Sequence, residues 1–204
     1  MEGEKKKFFS NIGWLMGGKI VNMLLQFFVS LATARYLGPS NFGTINYVAA
    51  FVSFFSSIAS LGLSVIVIKE IATDKYDNNE VIWTSIWMRF GTAVLSTISI
   101  IALMFITNRD DPIIVQIAFL ESLSILFSSF DTINYYFQAK LLSKWSSIAG
   151  VLAYLGMSLY RIYLLVTNAD IVWFAFATST DMIFLSVFLM IFYMRIEGFY
   201  PKFN

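Results

Sequence analysis

The chain has 204 residues, 58% of them hydrophobic and 18% aromatic, with only 13% charged and a net charge of +1, where a soluble domain carries about 25% charged residues. This is the composition of an integral membrane protein, and the lack of any Cys or His excludes disulfides, a thiol nucleophile, a Ser-His-Asp triad and the usual zinc sites, so no enzyme is expected. No long basic run offers a nucleic-acid footprint, and no Gly-rich phosphate cradle points to a cofactor.

Six apolar stretches of 22 to 27 residues are each long enough to cross a hydrocarbon core of about 30 Å. They predict helices over 12–34, 42–68, 81–107, 112–138, 146–167 and 171–194. The first follows Lys5, Lys6 and Lys7 and ends at Ala32-Thr33-Ala34, which loosely imitates a secretory signal. It is too long for one and carries a polar row of Lys19, Asn22, Gln26, Ser30 and Thr33 at helical spacing. Gly38-Pro39 then breaks the chain, with Asn41 placed to cap the second helix. That helix carries Asn46, Ser53, Ser57, Ser60 and Ser64, and a charged stretch over 69–80 leads to the third, with Ser85, Arg89, Thr92, Ser96 and Ser99. After Asn108-Arg109-Asp110-Asp111 the fourth presents Glu121, Ser124, Ser128, Asp131 and Gln138, with Tyr135 in register. The fifth carries Ser147, Tyr154, Ser158 and Arg161, and the sixth Thr178 and Asp181. Joints this short make successive helices antiparallel neighbours, so the expected fold is an all-α, six-helix membrane bundle, a single domain over 1–204 with no soluble domain.

Orientation follows from Lys and Arg. With the amino terminus cytoplasmic, Lys5, Lys6, Lys7, Lys69, Lys75, Lys140, Lys144, Arg195 and Lys202 lie inside and only Arg35 and Arg109 outside. Both termini are then cytoplasmic. Trp14, Trp83, Trp87 and Trp145 fall near cytoplasmic helix ends and Trp173 near the opposite face, as an aromatic belt requires.

The hydroxyl residues of these rows read as packing, because small polar side chains let membrane helices approach closely. Charged residues at membrane depth are different, since each costs about 2.5 to 3.5 kcal/mol and is normally aimed at a partner or a wet cavity. Counting along the helices puts Lys19, Arg89 and Asp131 at one level, about 10 to 12 Å above the cytoplasmic boundary. Asp181 is central, and Glu121 and Arg161 lie in the outer third, within snorkelling reach of the interface. Two cations facing one carboxylate would suit a phosphate or diphosphate, whereas a buried ion pair that merely pins helices is the plainer reading.

The segment Arg35-Tyr36-Leu37-Gly38-Pro39-Ser40-Asn41-Phe42-Gly43-Thr44-Ile45-Asn46-Tyr47, followed by Ala50-Phe51, Phe54-Phe55, Leu61-Gly62-Leu63 and Lys69-Glu70-Ile71-Ala72, resembles the amino-terminal signature of Wzx-type oligosaccharide flippases. These belong to the multidrug/oligosaccharidyl-lipid/polysaccharide exporter superfamily, which includes the MATE-type exporters. Asn134-Tyr135-Tyr136-Phe137-Gln138-Ala139-Lys140 is similar to that family's end of helix four.

The resemblance implies a transporter of undecaprenyl-diphosphate-linked oligosaccharide in the cell (inner) membrane, working by alternating access between two six-helix lobes. It covers one lobe, so the expectation is a fragment or half whose partner is a missing second lobe or a second copy. The substrate-cavity residues on this reading are Lys19, Asn22, Gln26, Arg89, Asp131, Arg161 and Asp181, with the basic residues holding the diphosphate and the aspartates balancing charge or carrying a coupling cation. No resident cofactor or metal is expected, and the partners are the lipid-linked oligosaccharide and the lipid bilayer. The alternatives are a cation-coupled multidrug exporter of the same superfamily, with carboxylates dominating the cavity, and a truncated membrane protein that does not transport.

Overall fold

A computed structural model describes residues 2–60, 62–73 and 76–198, with side chains from Phe9 onward. Lys75 and Lys202 of the orientation count, the side chains of Lys5, Lys6 and Lys7, and Leu61 of the signature segment lie outside the described residues. Among the described residues the regular elements are all helices: α1 (Glu2–Ala59), α2 (Leu63–Ala72), α3 (Asn78–Thr107), α4 (Pro112–Ser128), a 3-10 turn (Ser129–Asp131), α5 (Thr132–Ala139), α6 (Ser143–Val166) and α7 (Ile171–Glu197). Among the described residues five helical stretches are long and apolar enough to cross a membrane: Phe9–Ala59, Asn78–Thr107, Pro112–Ala139, Ser143–Val166 and Ile171–Glu197.

The first of these is two helical runs joined at Gly38, whose φ of 72° and ψ of 173° only glycine adopts readily. Helix resumes at Pro39, where the fixed φ suits a first helical position and the missing N–H costs nothing. Asn41 therefore sits inside the new helix rather than capping it. Contacts on either side show the chain reversing. Before Gly38, the Ser143 amide donates to Asn11 Oδ1 at 2.8 Å and Tyr36 donates to the Ala169 carbonyl at 3.2 Å, so this run rises along α6 from its start to just past its end. After Gly38, Ile45 packs with Leu164 and Phe174 beside the same end of α6. Farther on, Thr92 of α3 donates to the Ala59 carbonyl at 2.9 Å. The second run thus returns.

Three expectations are corrected here. The span expected over 42–68 breaks at Gly62, in the left-handed region at φ 63°, and restarts as α2. Apolar composition hid this break, because Leu63, Val67 and Ile71 continue the hydrophobic run and bury against Ile82, Ile86, Ile133 and Phe137. The charged stretch expected as a loop from residue 69 is helical as far as Ala72. The span over 112–138 is interrupted by the 3-10 turn at Ser129–Asp131. Its cause is partly local and partly tertiary, since Ser128 donates to the Ile125 carbonyl at 2.7 Å and Ser186 of α7 takes the Phe127 carbonyl at 2.8 Å. Hydroxyls that occupy carbonyls compete with the i→i−4 ladder at a Ser-Ser step.

Helix starts follow from short polar side chains. Asp77 accepts from the Asn79 amide at 2.9 Å at the head of α3, and Asp111 accepts from Ile113 at 3.1 Å before Pro112 opens α4. Burial in lipid gives little drive to join helices, because lipid tails are as apolar as leucine. Close packing and interhelical hydroxyl bonds hold the bundle instead. Gly18 meets Ser147 so closely that an added Cβ would lie 3.0 Å from the serine Cβ, and Gly156 likewise seats Phe184. Ser179 of α7 donates to the Leu120 carbonyl of α4, and Thr97 of α3 donates to Ser122 of α4 at 3.4 Å. Of the hydroxyl rows, Thr92 and Ser147 bridge helices, while Ser57 and Ser99 are exposed and bond carbonyls of their own helix.

Candidate functional site

The seven candidate residues separate into two internal groups and one exposed row. The first group forms where α3 passes the 3-10 turn. Arg89 is buried, donates to Thr132 Oγ1 at 3.2 Å and lies 5.7 Å from the Tyr135 ring centroid. Its charge acts on Asp131, whose carboxylate accepts from Asn134 Nδ2 at 3.2 Å. Ser146 of α6 in turn donates to Asn134. The 3-10 turn makes this possible by setting Asp131, Thr132 and Tyr135 about a single guanidinium, with Asn134 behind Asp131.

The second group joins α4, α6 and α7. Arg161 reaches Thr178 Oγ1 at 3.4 Å and its charge acts on both Asp181 and Glu121. Glu121 is fully buried, and neither carboxylate oxygen has a hydrogen-bond partner. This corrects the expectation that Glu121 snorkels to the interface, because a short carboxylate side chain enclosed by α4 and α7 has no path to water. Tyr154 borders the same charges, and the Ser158 hydroxyl is buried without a partner.

The exposed row lies on α1. Lys19 and Gln26 are exposed, while Asn22 is half-buried over Gly150 of α6. Lys19 thus does not join Arg89 and Asp131 inside the bundle as the level argument expected. Equal depth does not fix facing, and the first run of α1 is held from the side by α6 through Asn11, Gly18 and Asn22. The expected surplus of positive charge is consequently absent from the interior, where Arg89 and Arg161 face Glu121, Asp131 and Asp181.

The polar rows contain every member of the second group, whereas Thr132, Asn134 and Ser146 of the first group fall outside them, Asn134 entering only through the segment over 134–140. Spacing held one clue to them: Asn134 stands one helical turn after Asp131. At the end of the bundle where α3 begins, Tyr136 donates to Glu197 Oε1 at 2.5 Å, Asn78 donates to the same oxygen at 3.2 Å, and Tyr193 donates to Asn79 at 2.8 Å. This clasp joins α3, α5 and α7, and its Asn78, Asn79 and Glu197 lie outside the predicted spans, which begin at 81 and end at 194.

No curated protein and no solved structure matches the chain. A family model described as polysaccharide biosynthesis protein matches residues 8–204, nearly the whole chain. With several membrane-spanning helices and buried charges between them, the chain belongs to the polysaccharide biosynthesis protein family.

Proposed function

We propose that this chain forms the amino-terminal lobe of a transporter, not an enzyme, that moves undecaprenyl-diphosphate-linked oligosaccharide across the cell membrane as a member of the multidrug/oligosaccharidyl-lipid/polysaccharide exporter superfamily. The reversal at Gly38 turns the first long helix into two crossings, giving six in all. The positive-inside bias supports cytoplasmic termini, with Lys69, Lys140, Lys144 and Arg195 at one end of the helices and Arg35 and Arg109 at the other. Beside family membership, the observation that carries the reading is the exposed row of α1. Gln26 lies twelve residues past Trp14, about 18 Å along the axis, at a depth where an exposed amide finds no partner in lipid. That face is satisfied if it borders a wet cavity closed by a second lobe or a second copy.

The test is glycolipid translocation in vesicles that hold the assembled transporter. Lys19→Ala and Gln26→Ala should each lower transport while leaving thermal unfolding unchanged, because neither side chain is part of the interior. Normal transport by both variants would end this assignment. One observation favours the cation-coupled drug exporter as the second reading: carboxylates outnumber arginines inside the bundle. On that reading Asp181→Asn abolishes transport and Lys19→Ala spares it.

A further inference from the structure

Alongside its contact with α6, the first run of α1 carries an apolar groove of about 430 Å³, lined by Gly13, Gly17, Val21, Ile148 and Val151 with Trp14 at one end. Three stripes divide this helix. Asn11, Gly18 and Asn22 meet α6. Lys19 and Gln26 lie on one flank of that contact and the groove on the other, where the exposed apolar residues Val21, Leu24 and Phe28 continue it along the helix. Among the described residues nothing fills it, since an added Cβ at Gly13 or Gly17 would meet no atom within 4 Å. At the end nearest the α1 amino terminus, exposed Lys144 holds its Nζ 5.4 Å from the Trp14 ring centroid. An apolar slot thus ends at a lysine and a tryptophan, the pair that marks the headgroup level of a bilayer.

We infer that this groove is a binding site for an anionic phospholipid of the leaflet at the amino-terminal end of α1, with an acyl chain lying on the glycines and the phosphate on Lys144. Charge complementarity selects the occupant. A helix of a second copy would fill the apolar slot but leave the lysine without an anion, and a zwitterionic lipid would offset its own phosphate with a choline. The flat glycine floor admits a methylene chain at van der Waals distance, where any larger residue would exclude it. Trp14 covers the chain where it meets the headgroup, and its own carbonyl, held by Ser147 at 2.8 Å, fixes that end of the groove. The site requires only the membrane-spanning helices and holds whether or not the protein carries glycolipid.

The experiment uses the whole chain with Trp83, Trp87, Trp145 and Trp173 replaced by Phe, so that fluorescence reports Trp14 alone. Vesicles of phosphatidylcholine receive a minor fraction of either phosphatidylglycerol or phosphatidylcholine with brominated chains. Quenching by the brominated phosphatidylglycerol should exceed its mole fraction about fivefold, the effect of one lysine near an anionic lipid, and the excess should fade in high salt. Lys144→Gln should remove this preference. Gly17→Leu fills the groove without a clash and should bring quenching to the bulk level for both lipids. Equal quenching by the two lipids in the unsubstituted groove would overturn the inference. So would a dimer that Gly17→Leu converts to monomer, since a second copy would then be the occupant.

Discussion

Arg161 offers the sharpest test of how charge is balanced inside the bundle. It is the cation that acts on both Glu121 and Asp181, and Glu121 has no hydrogen bond to replace it. Arg161→Met keeps an unbranched side chain and removes the charge, leaving Glu121 and Asp181 without the cation that acts on both. Breaking such a buried pairing costs about 3 to 5 kcal/mol, which at about 2 to 4 °C per kcal/mol for a chain of this size lowers the unfolding midpoint by roughly 6 to 20 °C. Glu121→Gln instead removes the surplus carboxylate and leaves Arg161 with Asp181, so its effect should stay within about 1 kcal/mol of zero. The double substitution should be less damaged than Arg161→Met alone, because it strands one carboxylate and not two. Thermal unfolding in nanodiscs, followed by intrinsic fluorescence, reads all three. Equal losses from the two single substitutions would refute the reasoning, since they would mean that Glu121 and Arg161 matter only as an equal pair.

At the clasp, Tyr136→Phe keeps the ring packing against Tyr193 but loses the bond to Glu197, a charged acceptor, so about 1.5 to 3 kcal/mol of stability should go, measured by the same unfolding assay. Gly18→Val pushes α1 away from Ser147 and should cost about 1 to 3 kcal/mol, with Ser147→Gly recovering part of the loss. Gly38→Ala meets no steric neighbour, so its cost of about 1 to 3 kcal/mol would be backbone strain alone and should persist in every detergent tested. Arg89→Ala leaves Asp131 with Asn134 only and should destabilise the fold as well as transport, which unfolding and translocation measured on one preparation will show together.

Much of the fold was legible because lipid imposes simple rules on length and composition. Helix ends set by Asp77, Asp111 and Gly38 agree with the polar and glycine signals around them. What escaped depended on conformation inside apolar runs. Gly62 sits in a stretch whose neighbours are all compatible with helix, and one glycine does not declare its φ. The 3-10 turn requires the Ser186 hydroxyl, nearly sixty residues away, to take a carbonyl from α4. In the candidate site, residue types and depths were readable, but facing was not. A polar row shows that one side of a helix is special without saying whether that side meets the bundle, and in α1 Asn22 and Thr33 do while Lys19 and Gln26 do not.

That outcome changes what the charges can be doing. Arg89 and Arg161 are each engaged by carboxylates and hydroxyls of neighbouring helices, so a substrate anion reaching them would have to displace interactions that hold α3, α4, α6 and α7 together. Lys19 competes with no such partners. It stands on a helical run that the described contacts attach chiefly to α6, with an apolar groove on one flank and the polar row on the other. A run held along one edge can tilt without unpacking the core, because the contacts it would strain lie on that edge: Gly18 and the Trp14 carbonyl on Ser147, Asn22 on Gly150, the bonds from Asn11 and Tyr36, and the Tyr36 ring on Phe174. On the proposed reading the first run of α1 is therefore the movable wall of the cavity, and the buried charge groups keep the remaining helices together while it moves.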